Sequence, residues 1–245
     1  MKITILTLFP EIIAVYFNNS IMLKAVEKGL IDFNIVNIRD FAKDKHKTCD
    51  DYPYGGGAGM ILKPEPLFDA LDSVFASNIR TIYPSPSGRI FDQAYAKELS
   101  GEKELIFICG RYEGIDQRVI DRYVNDEICV GDYILSSGEI ASLVIIDSVY
   151  RLLDGVISSS SLEEESFERG ILEYPQYTRP AEFNGLKVPD VLLSGHALNI
   201  KNWRLEKSLE KTKKYRPDLL NRNKTRRGDV SADVKMDDFV DKVGG

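Results

Sequence analysis

Residues 104–139 read ELIFICGRYEGIDQRVIDRYVNDEICVGDYILSSGE, and this stretch decides the fold class. The run Glu104 to Cys109 is apolar and β-branched, which predicts a buried strand, and it ends in the turn GRYEG. A second glycine turn, VGDYILSSGE, follows the run ending at Val130, and the apolar stretch Ile140 to Leu153 predicts a helix after it. Upstream, Arg80 to Tyr83 predicts a strand that leads into a third turn, PSPSG. KITILTLF at the start predicts a buried first strand ended by Pro10, and no small-residue cleavage site follows it. Helical spacing runs from Glu11 to Lys28, with Gly29 as its stop, and Phe33 to Ile38 predicts a further strand. Pro64 to Phe75 and Phe91 to Leu99 predict helices, whereas Ala42 to Met60 predicts a long loop. Strands alternating with helices imply an α/β domain with a largely parallel sheet. Ligands bind such sheets at the carboxyl ends of the strands, so the three glycine turns are expected to line one pocket.

Composition narrows the function. The 245 residues are 43% hydrophobic and 29% charged, the balance of a globular chain long enough for a sizeable core. No segment approaches the ~20 apolar residues of a membrane span. Cys49, Cys109 and Cys129 are odd in number and lack metal-ligand spacing, so the expectation is a reducing cytoplasm without a disulfide framework or zinc site. Net charge is −6, from 32 basic and 38 acidic residues, yet Lys201 to Arg227 holds 11 Lys/Arg against 3 Asp/Glu. A basic segment on an acidic body can hold phosphates; it can equally be a solvated helix face.

The motifs differ in strength. YGGGAGM (Tyr54 to Met60) lets backbone approach a ligand, but it lacks the Lys-Ser/Thr of a P-loop and does not fit GxGxxG. GRYEG puts Arg111 and Glu113 at a strand end, and GDYILSSGE offers backbone groups and apolar walls suited to a purine. LEEESFERGILEYPQYTRP (Leu162 to Pro180) is rich in carboxylates, while its Phe167, Tyr174, Tyr177 and Arg179 are able to stack on unpaired bases.

MKITILTLFPE, PYGGGAGM, YPSPSGRIFDQ, ICGRYEGIDQRVID, VGDYILSSGEIA, SFERGILEYPQYTRP and LLSGHALNIKNWR, in this order, resemble the bacterial tRNA (guanine-N1)-methyltransferases of the knotted SPOUT superfamily. The resemblance covers residues 1 to 220. It implies methyl transfer from S-adenosylmethionine to N1 of the guanosine at tRNA position 37, 3′ of the anticodon. It further implies a trefoil-knotted cofactor domain over 1–157, a linker over 158–173 and a helical tRNA-binding domain over 174–227; the composition and terminal position of residues 228–245 predict a disordered tail. It implies a cytoplasmic homodimer with an active site shared between subunits and no membrane contact.

For the cofactor the resemblance points to Tyr83, Pro84, Ser85, Pro86 and Gly88 in the first loop and to Gly110 and Glu113 in the second. The third loop contributes Val130, Gly131, Tyr133, Ile134, Leu135 and Gly138. The same resemblance makes Glu165 the general base, Arg151 the cation near guanine O6, and Glu113 with Glu165 the candidate Mg²⁺ ligands. The family usually carries Gln, Gly and Asp where this chain has Ser87, Ser137 and Glu165. Two other readings stand beside this one: a knotted methyltransferase of a different RNA nucleoside, and an RNA-binding module without chemistry.

Overall fold

The computed structural model describes residues 1–158, 161–162 and 164–226. The expectation for the tail, 228–245, lies outside the described residues. The chain divides into two compact units, Met1–Ser159 and Ser160–Gly245.

The first unit is built on a five-stranded sheet in the order β2-β1-β6-β5-β7. The strands are β1 (Lys2–Thr7), β2 (Asp32–Asn37), β5 (Arg80–Ile90), β6 (Glu104–Ile108) and β7 (Asp126–Cys129), and all adjacent pairs are parallel. Side chains alternate across this sheet with the strand's period of two. Ile3 and Ile5 of β1 and Leu105 and Phe107 of β6 enter one core layer, together with Ile13, Phe17, Ile145 and Val149. Leu6, Ile106 and Ile108 enter the opposite layer with Leu67, Leu71 and Val119. Helices α1 (Pro10–Phe17), α4 (Gln93–Ser100) and α6 (Gly138–Tyr150) thus cover one face, and α3 (Pro64–Ser73) and α5 (Gln117–Tyr123) the other. Both faces are covered, which explains the near-continuous apolar strands.

Local chemistry sets the element ends, and some differ from the expectations. The helix expected over 11–28 is two helices, α1 and α2 (Ser20–Glu27), separated at Asn18 and Asn19. Asn side chains compete with the backbone for hydrogen bonds, and Ser20 stands at a φ of 57°. Gly29 does end α2, at a φ of 69°, with its N–H on the Val26 carbonyl and the Leu30 N–H on Ala25. The long loop expected over 42–60 contains β3 (Asp50–Asp51), which pairs antiparallel with β4 (Ile61–Leu62). The strand expected to stop at Tyr83 runs on to Ile90. Pro84 and Arg89 both pair with Ile128, so residues 85–88 leave the ladder as a bulge. Gly88 makes this possible: a Cβ there would lie 2.4 Å from the Glu127 and Ile128 backbone.

The second unit holds β8 (Glu182–Phe183) paired antiparallel with β9 (Leu186–Lys187), and helices α7 (Asp190–Leu193), α8 (Ala197–Tyr215) and α9 (Pro217–Arg226). Its interior is small. Thr212 of α8, fully buried, accepts from the Leu172 N–H at 2.9 Å and donates to the Ser208 carbonyl at 2.7 Å. Among the described residues, no helix is long and apolar enough to cross a membrane.

Arg80 anchors the edge of the main sheet. Its guanidinium meets Asp126 at 2.6 Å, Glu98 at 2.7 Å and Glu102 at 3.1 Å, and Tyr95 donates to Asp126 at 2.6 Å. Burial alone would raise the Asp126 pKa, but the hydrogen bonds from Arg80 and Tyr95 outweigh it and hold the carboxyl below its ordinary range. A carboxyl that titrates lower when folded stabilises above its unfolded pKa of about 4, and that stabilisation fades as pH falls through the folded value. Asp126→Asn should therefore cost about 1 kcal/mol at neutral pH: the charged hydrogen bond to Arg80 is lost, while Glu98 and Glu102 still pair with the guanidinium. It should also flatten the acid side of the stability profile, as measured by urea unfolding at pH 7 and pH 3.

Candidate functional site

The carboxyl ends of β5, β6 and β7 bring three loops around one cavity of about 270 Å³. From the first loop Tyr83, Pro84, Ser85 and Pro86 line it; Gly88 does not, being seated on the β7 backbone. From the second come Gly110 and Glu113, joined by Arg111, Tyr112 and Gly114. The third supplies Val130, Gly131, Tyr133, Ile134 and Leu135, then Ser136, Ser137 and Gly138. The other predicted site residues stand elsewhere. Arg151 caps the carboxyl end of α6, and Glu165 belongs to the second unit, where its N–H bonds the Leu162 carbonyl at 3.2 Å.

Glycine is required where loops touch. The Gly138 N–H donates to the Gly110 carbonyl at 2.9 Å, and a Cβ on Gly138 would lie 2.5 Å from the Gly110 nitrogen. The first turn of α6 is thereby pressed onto the end of β6. Gly131 has a φ of 156°, and a Cβ there would lie 2.3 Å from the Tyr133 ring. The first loop is tied to β7 by side chains: Ser85 and Ser87 hydroxyls lie 2.7 Å apart, and Ser87 donates to Glu127 at 2.7 Å. Ser87 thus braces the loop. Tyr83 is nearly buried, and burial with the neighbouring Glu127 carboxylate raises its hydroxyl pKa.

The glycine-rich stretch Tyr54 to Met60 belongs to this region. The Glu113 N–H donates to the Met60 carbonyl at 3.0 Å, and Leu62 donates to Gly114 at 3.0 Å. A Cβ on Gly59 would lie 2.5 Å from the Glu113 side chain, so this glycine lets the stretch close over a cavity residue.

Beneath the cavity lies a polar cluster that sequence reasoning did not assemble. Glu139, in the first turn of α6, is fully buried. It accepts from the Thr7 hydroxyl at 2.6 Å and lies 3.2 Å from Arg111 Nε, whose guanidinium stands 4.3 Å over the Phe9 ring. The positive end of α6 and the Arg111 guanidinium both face this side chain. One signal was available: Glu139 is an acidic residue at the head of an otherwise apolar helical run. Ser137 Oγ is buried at the cavity wall without a hydrogen-bond partner among the described residues, a polar atom left for a ligand. Cys109 is fully buried below, and burial pushes its thiol pKa up, which makes it inert.

A parallel α/β unit with one cavity closed by strand-end loops is the frame of an enzyme that binds a nucleotide-like ligand. The model of the family described as tRNA (Guanine-1)-methyltransferase TrmD matches residues 1–222, and the chain belongs to that family. A tRNA (guanine-N(1)-)-methyltransferase of Treponema denticola is 67% identical over 220 residues, covering 90% of each chain. One of Borrelia duttonii is 66% identical over 221 residues, covering 89% of this chain and 92% of the relative. One of Treponema pallidum is 60% identical over 220 residues, covering 90% of this chain and 88% of the relative.

The contact between Gly110 and Gly138 should be intolerant of any side chain. Gly138→Ala is expected to cost about 1–3 kcal/mol through overpacking against backbone that cannot swing away. Gly101→Ala, whose Cβ would meet only a carbonyl at 3.4 Å, is expected to stay within about 0.5 kcal/mol of the parent. Urea unfolding of the two variants side by side measures the difference.

Proposed function

We propose that the chain transfers a methyl group from S-adenosylmethionine to N1 of guanosine 37 in tRNA. The observation that carries this reading is the cavity closed by three strand-end loops in a member of a tRNA (guanine-1)-methyltransferase family. The cavity suits such a cofactor. Val130, Ile134 and Leu135 offer apolar walls for a purine, the glycines expose backbone donors and acceptors, and Ser137 Oγ awaits a polar partner. When bound, S-adenosylmethionine supplies a methyl group activated on a sulfonium centre.

The remaining chemistry falls to the chain's own residues. Guanine N1 carries a proton at neutral pH, so its lone pair is not free. In this reading Glu165 takes that proton, and Arg151 stabilises the negative charge that gathers on O6. Glu113, at the cavity wall, orients the base. No group of three metal-ligating side chains occurs among the described residues. Mg²⁺ is commonly held by one or two carboxylates with water, and Glu113 and Glu165 remain its candidate ligands.

The proposal includes the trefoil knot and the division into a cofactor domain (1–157), a linker (158–173) and a tRNA-binding domain (174–227). It also includes a cytoplasmic homodimer in which Glu165 of one subunit serves the cavity of the other. Ile140 and Val144 on α6 and Val15 on α1 are exposed, an apolar patch that a second copy would cover.

Labelled methyl transfer to tRNA transcripts with and without G at position 37, followed by nucleoside analysis, tests the function; the expected product is 1-methylguanosine at that position alone. Glu165→Gln should slow single-turnover transfer by about 10²–10⁴-fold with cofactor affinity little changed, and Glu165→Asp should stay active. A normal rate in Glu165→Gln beside a slow Glu168→Gln or Glu173→Gln would move the base to another carboxylate.

Lys213 and Lys214 stand exposed in the last turn of α8. Replacing both with Gln should flatten the log–log salt dependence of tRNA binding by up to about two units while cofactor affinity holds, as read by filter binding across a salt series. An unchanged slope would make this helix face merely solvated.

A further inference from the structure

The second unit has a cavity of its own, about 460 Å³, within the usual range for small-ligand pockets. Its lining includes Tyr174, Tyr177, Arg179 and Arg204 with the apolar Leu192 and Ile200, and no carboxylate. Arg204 is held in a fixed plane. Its guanidinium lies 4.6 Å over the Tyr174 ring, and Nη1 is 3.4 Å from Glu164 Oε1. Tyr174 in turn donates to Glu164 Oε2 at 2.5 Å. Arg204 Nε is nevertheless buried without a hydrogen-bond partner among the described residues. Tyr177, 49% exposed, stands at the wall with its ring centroid 6.3 Å from that of Trp203.

We propose that this cavity seats one unpaired nucleobase of the RNA substrate. A nucleobase needs a flat π-surface to stack on, a donor for its ring nitrogens and carbonyls, and apolar walls that exclude water. Tyr177 supplies the first, Arg204 and Arg179 the second, and Leu192 and Ile200 the third. The phosphates beside such a base would face a helix that also carries Lys201, Lys211, Lys213 and Lys214. The proposal rests on the reading of the chain as a tRNA-modifying enzyme, but it concerns a base-binding seat confined to the second unit, apart from the methyl-transfer cavity.

Trp203 is the single tryptophan of the chain, so its emission reports binding next to the cavity without needing methyl transfer. The experiment titrates the full-length protein with a tRNA transcript and with its isolated anticodon stem-loop, and reads Kd from Trp203 quenching. Tyr177 is half exposed, so its replacement leaves the buried contacts of the unit in place. Tyr177→Ala is expected to raise Kd by about 5- to 100-fold, the worth of one stacked base, and Tyr177→Phe to restore it. Cofactor affinity, by calorimetry, should not move. A Kd within twofold of the parent in Tyr177→Ala, or Trp203 emission that RNA does not alter, overturns the proposal. A changed oligomeric state in Tyr177→Ala with an unmoved RNA Kd also overturns it, since the occupant would then be a second copy of the chain. A parent protein that binds RNA with Trp203 quenching, yet methylates no transcript, would refute the methyltransferase reading and leave the seat standing.

Discussion

The contact between Gly110 and Gly138 is the constraint on which the candidate site depends. One is the second residue beyond the end of β6, the other the first residue of α6, and they meet backbone to backbone through a 2.9 Å hydrogen bond. The first amides of a helix have no partner inside it, and here one of them is satisfied by a strand-end carbonyl. This contact joins the second loop to the third, and the cavity is the space left between them and the bulged end of β5. Any side chain at Gly138 would separate the two backbones.

The same contact explains a buried charge. With α6 pressed against β6, Glu139 is carried into the interior, where an unpaired carboxylate would be costly. Three features offset that cost: the Thr7 hydroxyl at the end of β1, the Arg111 guanidinium from the second loop, and the positive end of α6. Arg111 is braced in turn by the Phe9 ring. The ends of β1 and β6 and the head of α6 are therefore coupled through one polar cluster beneath the cavity. A change at Thr7, Phe9 or Glu139 would be felt at the cavity wall, although only Arg111 of the four lines it.

Charge divides the work along the chain. The whole chain is net acidic, whereas Lys201 to Arg227 is strongly basic. An acidic body repels phosphate except where cations are gathered, so a polyanionic substrate would be held chiefly where the second unit concentrates them. The cavity of the first unit has a different character: apolar walls, backbone donors and a few oriented side chains.

Much of this was legible before any coordinates. The apolar, β-branched runs KITILTLF and ELIFIC, and glycine turns after apolar runs, were enough for a parallel α/β sheet with a pocket at its carboxyl edge, because strand burial and turn conformation are local properties of residue type. Gly29 as a helix stop was legible for the same reason. Long-range contacts were not. That β5 continues past Tyr83 with residues 85–88 bulged out depends on both Pro84 and Arg89 pairing with Ile128, a residue about 40 positions away. That Gly59 faces Glu113, that Glu139 is buried with Thr7 and Arg111, and that Tyr174, Tyr177 and Arg204 line one cavity are likewise products of strand order and helix docking. By itself the sequence determined which segments turn, which bury and where glycine is needed. Only the tertiary structure decided which of those segments meet, because the partner of a close backbone contact or a buried charge is chosen by topology rather than by the neighbouring residues.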